Sequence, residues 1–191
     1  RLTAFWAGQP GSMLFWGLTV AVMGSLFALT RNYKSLSGET RLWFWTFFYI
    51  LTAFFGLILT VWSNPFAMQY PVPADGRGLN PLLQNPGMII HPPLLFLGYA
   101  GFAIPTCLAL AEALSGDQEN GRPWYVSTRT FMLLAWAFLS AGILLGAWWA
   151  YMELGWGGYW AWDPVENSSL IPWLFATATF HTIVVERRRQ I

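Results

Sequence analysis

Two histidines and one tryptophan-dense stretch carry most of the chemistry that this 191-residue sequence can offer. From Trp148 to Trp173 the chain reads WWAYMELGWGGYWAWDPVENSSLIPW, with six tryptophans, two tyrosines and no basic residue. An aromatic belt is the simple explanation, because amphipathic indole rings collect at membrane–water boundaries. A belt needs one or two rings at each helix end. Here Trp148, Trp149, Trp156, Trp160 and Trp162 crowd a single connection and surround the carboxylate of Asp163. A flat, apolar, polarizable ligand with an acidic fringe suits such a surface, and a porphyrin has that character.

His91 is followed by Pro92-Pro93. Prolines donate no backbone hydrogen bond and bias the preceding residue to an extended conformation. The imidazole is then expected to project at the membrane surface, on the side of the tryptophans. There it serves either as a metal or haem ligand or as an interfacial histidine capping a helix. His181 lies inside an apolar run, about 16 Å below Leu170 at 1.5 Å per helical residue. An ionisable group at that depth is costly and marks a functional site by default. It is either an axial ligand to a buried haem b, or a proton or electron relay, or one member of a hydrogen-bonded pair with Thr177, Thr179 or Thr182. The two histidines fall at different depths and are not expected to share one iron.

Asp163-Pro164-Val165-Glu166 reads as a helix start: Asp as N-cap, Pro at the first helical position, Glu at the third. The helix that follows aims its amino end at the aromatic surface, where free amides favour anionic groups such as propionates. Glu166 and Asn167 are candidates for orienting a ligand or partner. Gly157-Gly158 either admits a flat ligand close to the backbone or simply turns the chain.

The elements that must position these residues are membrane helices. The sequence is 55% hydrophobic and 10% charged, whereas soluble domains carry about a quarter charged residues. Apolar runs long enough to span fall at roughly 12–30, 42–63, 93–114, 130–151 and 165–185. The expected fold is an all-α integral membrane protein of about five transmembrane helices, forming one bundle across 1–191. A proline-rich connection (64–91) and the tryptophan-rich loop share its outer face. Within the former, Asn80-Pro81 and Asn85-Pro86 look like starts of helical turns. Pro172 is expected to kink the fifth helix.

Loops 31–41 and 115–129 with the tail after Val185 hold eight of the ten positive charges, which places them on the cytoplasmic side. The amino end then lies outside, so a further span is expected upstream. With Arg1 in first place and no cleavable leader, the chain reads as part of a longer protein. The single cysteine, Cys107, sits in an apolar run and excludes an internal disulfide or a Cys-based metal site. No motif of hydrolysis, phosphate transfer or zinc chemistry is present. The outer face lacks the Lys and Arg that nucleic acid would require.

The segment WGGYWAWDPVEN, residues 156–167, resembles the WWD motif of the membrane haem-handling proteins of cytochrome c maturation. The upstream GRGLNPLLQNPGMIIHPPLLFLGYAGF, residues 76–102, is similar to the CcmF branch of that superfamily, with its NrfE-type members. The likeness covers nearly the whole chain. It implies a subunit of a cytochrome c haem lyase (holocytochrome c synthetase) in the bacterial inner membrane. Such a protein takes haem from a periplasmic chaperone and, with other maturation subunits, helps to attach it to CxxCH sites of apocytochrome c. The resemblance implies that His91 is one of two ligands to the outer, transferred haem. His181 would be one of two ligands to a transmembrane haem b, with the partner of each outside this chain. A membrane electron-transfer protein, quinone-linked and with b haems but no ligation chemistry, is the alternative expectation.

Overall fold

Backbone polar groups in lipid have to be satisfied within their own segment, so apolar runs of this length fold as helices. The computed structural model of the protein describes residues 3–68, 70–76, 78–116, 123–155 and 157–189. In chain order the helices are α1 (Ala4–Ala7), α2 (Gln9–Ala28), α3 (Arg31–Lys34), α4 (Gly38–Val61), α5 (Gly87–Ser115), α6 (Trp124–Ser127), α7 (Arg129–Glu153) and α8 (Pro164–Arg189). A single 3₁₀ turn, Pro81–Leu83, precedes α5. Among the described residues there is no strand, and α2, α4, α5, α7 and α8 are long and apolar enough to cross a membrane. The expectation of five spanning helices holds.

Side-chain caps fix several helix starts. The Thr30 hydroxyl accepts from Tyr33 N at 3.1 Å and the Ser37 hydroxyl from Thr40 N at 3.0 Å. Asn80-Pro81 acts as the sequence suggests, while at Asn85-Pro86 the proline is itself the N-cap of α5 and the asparagine bonds one residue further out. Asn80 Oδ1 accepts from Leu82 N at 3.1 Å, opening the 3₁₀ turn, and Asn85 Oδ1 accepts from Gly87 N at 2.7 Å, opening α5.

α5 is the central element, packed against α2, α4 and α7. Half of its most apolar stretch is buried inside the protein, against 11% for α8, which leans chiefly on α7. Phe27, Phe44, Ile104 and Leu108 are fully buried where α2, α4 and α5 meet. Phe27 lies 5.1 Å from Phe44 and 5.6 Å from Phe131, ring centre to ring centre.

Helices in lipid gain little from hydrophobic burial against each other, so they associate where small residues let backbones approach. The α5–α7 seam is built that way. A Cβ at Gly98 would lie 2.7 Å from Leu139 Cβ, one at Gly101 2.7 Å from Ala135 Cβ, and one at Gly142 2.7 Å from Leu95 Cδ2. Gly56, on α4, has no such neighbour within 4 Å. Overpacking costs about 1–3 kcal/mol, so Gly98→Leu is expected to lower the thermal midpoint of the detergent-solubilised full-length protein. Gly56→Leu is expected to leave it unchanged. Equal midpoints for the two variants would contradict the seam.

Candidate functional site

One end of the bundle gathers the start of α5, the end of α7 and the start of α8. Asn85 Nδ2 donates to Glu153 Oε1 at 2.5 Å, tying the α5 start to the last turn of α7. His91 is the fifth residue of α5 and is helical. That corrects the expectation that Pro92-Pro93 would hold it extended and projecting from the surface. Proline disfavours a helical neighbour before it, but that bias yields when the tertiary structure supplies what the prolines remove. Here α5 starts at Gly87, where apolarity alone gave 93.

The imidazole is half-buried against α7. Its Nδ1 lies 2.7 Å from the carbonyl oxygen of Gly142. A carbonyl oxygen only accepts, so this bond places the proton on Nδ1 and leaves the Nε2 lone pair free in the neutral ring. Ligating histidines are commonly oriented in this manner. Gly146, one turn further along α7, makes room for the ring: a Cβ there would sit 2.8 Å from Nδ1 and 3.1 Å from Nε2. Trp149 stacks beside the imidazole, at 6.3 Å between ring centres and 24° between planes.

His91 and Trp149 form part of the wall between two spaces. On one side a small cavity of about 110 Å³ is lined by His91, Trp149, Trp160, Asp163 and Glu166, among others. On the other a cleft of about 700 Å³ is lined by Trp6, Trp16, Phe96, Tyr99 and the same His91 and Trp149. Pockets for organic ligands run from about 300 to 1,000 Å³, so a tetrapyrrole matches the cleft and not the cavity. Trp6 and Trp16 were not legible as site residues, because more than seventy residues separate them from His91.

The tryptophans divide. Those that join helices have satisfied indole groups: Trp136 Nε1 donates to Thr177 Oγ1 at 2.9 Å, and Trp173 Nε1 to Ser140 Oγ at 2.7 Å. These two rings stack at 5.9 Å and strap α8 to α7, so Trp173 belongs to the packing. Trp149 and Trp160 are the exception, with buried Nε1 atoms that have no hydrogen-bond partner. Buried unpaired donors are rare and call for an explanation; both line the space beside His91. Trp162 meets Trp160 edge-on at 6.1 Å and is 70% exposed. It also holds φ at 61°, an unusual backbone for a bulky residue. Trp148 is exposed on another face of α7 and does not line either space. Trp156 lies outside the described residues.

Asp163 caps α8, its Oδ1 accepting from Glu166 N at 2.7 Å. Glu166 Oε2 in turn accepts from Ala161 N at 2.7 Å, and Asn167 Nδ2 donates to the Trp162 carbonyl at 3.1 Å. The capping-box half from Asp163 is present, while the glutamate returns to a residue two before the cap. Glu166 and Asn167 therefore brace the tryptophan loop, where the sequence suggested ligand or partner contacts. With two carboxylates around it, the α8 amino end is no open anion site. Among the described residues the buried unpaired side-chain donors are the two indoles.

His181 stands apart. It is exposed on α8, about 27 Å along the axis from Asp163 at 1.5 Å per residue. The threonines offered as its partners bond their own helix: Thr177 to the Trp173 carbonyl, Thr179 to Phe175 and Thr182 to Ala178, at 2.8–3.0 Å. Among the described residues no three His, Cys, Asp or Glu side chains come together as a metal cage. A single well-oriented imidazole fits a metal that brings its own macrocycle of nitrogen ligands.

Residues 6–190 match the family model described as cytochrome C assembly protein. The chain is 44% identical, over its full length, to a probable cytochrome c-type biogenesis protein NrfE of Escherichia coli, of which it covers 34%. It is 40% identical to the NrfE of Haemophilus influenzae over its full length and 29% of that protein. It is 44% identical to the cytochrome c-type biogenesis protein CcmF of Haemophilus influenzae, over 99% of this chain and 29% of the relative. The chain thus spans about a third of the length of the relatives it matches. No solved structure matches it.

Proposed function

Since the chain belongs to the cytochrome c assembly protein family, with CcmF-type relatives, we propose that it is the haem-holding segment of a cytochrome c maturation protein. In this reading His91 Nε2 ligates haem iron, Trp149 lies beside it and the large cleft gives the ring its room. The observation that carries the proposal is the Nδ1–Gly142 bond, which presents a free Nε2 next to the buried Trp149 indole N–H, which lacks an acceptor and belongs to a residue lining the cleft.

Bound haem supplies the iron and the vinyl groups to which a partner's thiols add. This chain supplies position. Its one cysteine, Cys107, is 4% exposed in the middle of α5 and takes no part in thioether formation. Gly142 and Gly146 fix the imidazole, and Asp163, Glu166 and Asn167 hold the loop that carries Trp160. Most positive charge lies at the bundle end opposite His91, and the positive-inside rule supports a site on the periplasmic side of a bacterial inner membrane. There it meets a haem chaperone and apocytochrome c, alongside other maturation subunits. The family membership favours this over an electron-transfer protein without ligation chemistry. His181, projecting away from these helices, is proposed to ligate a second, membrane-embedded haem b with a histidine from another segment.

The test uses the full-length protein, purified in detergent and titrated with haem, with attached haem on a reporter cytochrome c scored in cells. A hydrogen bond to a charged group contributes about 1.5–3 kcal/mol. Trp149→Phe is therefore expected to weaken haem binding by about tenfold or more and to reduce maturation, and Trp160→Phe, which alters only the small cavity, to do so less. His181→Ala is expected to remove the b-type Soret band separately. Wild-type affinity in Trp149→Phe would sink the outer-site assignment; an unchanged band in His181→Ala would sink the inner one.

A further inference from the structure

In an α-helix each N–H bonds the carbonyl four residues back, and proline has no N–H to give. Pro92 and Pro93 therefore deprive the carbonyls of Met88 and Ile89, in the first turn of α5. The two orphans differ. Ile89 is 53% exposed. Met88 is 9% exposed, and a buried carbonyl without a donor is destabilising. The missing donor comes from 82 residues upstream: Trp6 Nε1 donates to the Met88 carbonyl at 3.0 Å.

Trp6 is itself buried, and its ring lies 5.5 Å from that of Phe15 on α2. Ser12, also on α2, donates to the Trp6 carbonyl at 2.5 Å. α2 thus holds the residue twice, the ring through Phe15 and the main chain through Ser12, while the indole N–H reaches the turn that carries His91. Met88 lies three residues before His91, on the same helical face, and Trp6, Met88 and His91 line the same cleft.

We propose that Trp6 is the positioning residue for His91. Its N–H replaces the hydrogen bond that Pro92 removes, and so holds the first turn of α5 at the angle from which the imidazole reaches Gly142. This inference rests on the proposed role of His91, and it names what sets that residue's geometry. Packing alone is the competing explanation, since a buried indole fills space whatever its N–H does. Direct contact with a bound ligand is another, because Trp6 lines the cleft.

A double-substitution cycle in the full-length protein separates these. Trp6→Phe keeps a ring and removes the donor. Pro92→Ala restores a main-chain N–H to the Met88 carbonyl. The primary readout needs no haem: peptide-resolved carbethoxylation of His91 in the haem-free protein, which reports how firmly the imidazole is held. The second is the coordination spectrum after haem is added. With Pro92 present, Trp6→Phe is expected to raise His91 reactivity by roughly tenfold and to shift the haem spectrum away from histidine ligation. In the Pro92→Ala background the same substitution is expected to change either readout by less than about twofold. An equal effect in both backgrounds, or none in either, overturns the proposal, since the packing of a ring at position 6 does not depend on a main-chain N–H at residue 92, and the reactivity is read with no ligand in the cleft that Trp6 and Pro92 both line. If His91 proves not to ligate haem, only the spectra lose their meaning; the reactivity cycle still decides the role of Trp6.

Discussion

Full-length protein carrying His91→Gly is expected to lose cytochrome c maturation by at least about a hundredfold, since removing even an outer-shell partner of a ligand costs 10–100-fold. Added imidazole is expected to restore part of it. The prediction follows from what the ring contributes: one bond to Gly142 that orients it, and one free nitrogen beside the cleft. Glycine removes both and leaves space in which free imidazole can sit. His91→Gln separates the two contributions. Its amide can still donate to the Gly142 carbonyl, so the variant folds and accumulates, yet it offers iron no imidazole nitrogen. Accumulation at wild-type level, no histidine-type haem spectrum and no attached haem on the reporter make up the expected pattern for glutamine. If glutamine supports maturation, His91 is a structural strut and the site lies elsewhere.

Gly146→Val is expected to reproduce the His91→Gln phenotype without touching the histidine. Beyond its contacts with Nδ1 and Nε2, a Cβ at position 146 would press closest on Cε1 of the imidazole. The ring is not the loose end of a long side chain; it is held by Gly142 on one side and Trp149 on the other. To make room it has to leave Gly142, which releases the proton on Nδ1 and misdirects Nε2. A loss of about 10–100-fold in haem affinity is expected, as for other outer-shell partners of ligating histidines, with helical circular dichroism unchanged. Gly87→Ala is the control, since its Cβ would meet Asn85 Oδ1 at 3.1 Å and Trp149 Cβ at 3.2 Å, both milder than the approach to the imidazole. Wild-type haem spectra in Gly146→Val would show that the imidazole need not lie against α7 to do its work.

The five spanning helices were legible because lipid imposes a simple rule, a long run of apolar residues with its hydrogen bonds closed internally. The Asp163 cap was legible for a similar reason: its signature is local. What escaped reading was non-local. His91 could be marked as a candidate, but not its helical setting, because that depends on a donor 82 residues away that makes Pro92 tolerable. The spacing of Gly142 and Gly146 does carry a signal, small residues four apart on an apolar helix. It would have identified a close-packed face, though not that the face receives an imidazole. Sequence also counted all the crowded indoles as one surface. The structure assigns Trp173 to packing and Trp148 to another face, and it enlists Trp6 and Trp16 from the other end of the chain.

α7 touches both halves of the site at once. Gly142 and Gly146 cradle the imidazole, while Trp136 and Ser140, less than two turns away, grip α8 through Thr177 and Trp173. The helix therefore works as a shared spindle. If it rolls, the wall bearing His91 and the wall bearing Trp160 swing together, and the small cavity between them keeps its width. In the proposed reading, admitting and releasing a bulky flat cargo at the large cleft then falls to parts not mounted on that spindle, chiefly α1 and α2, which line its far side.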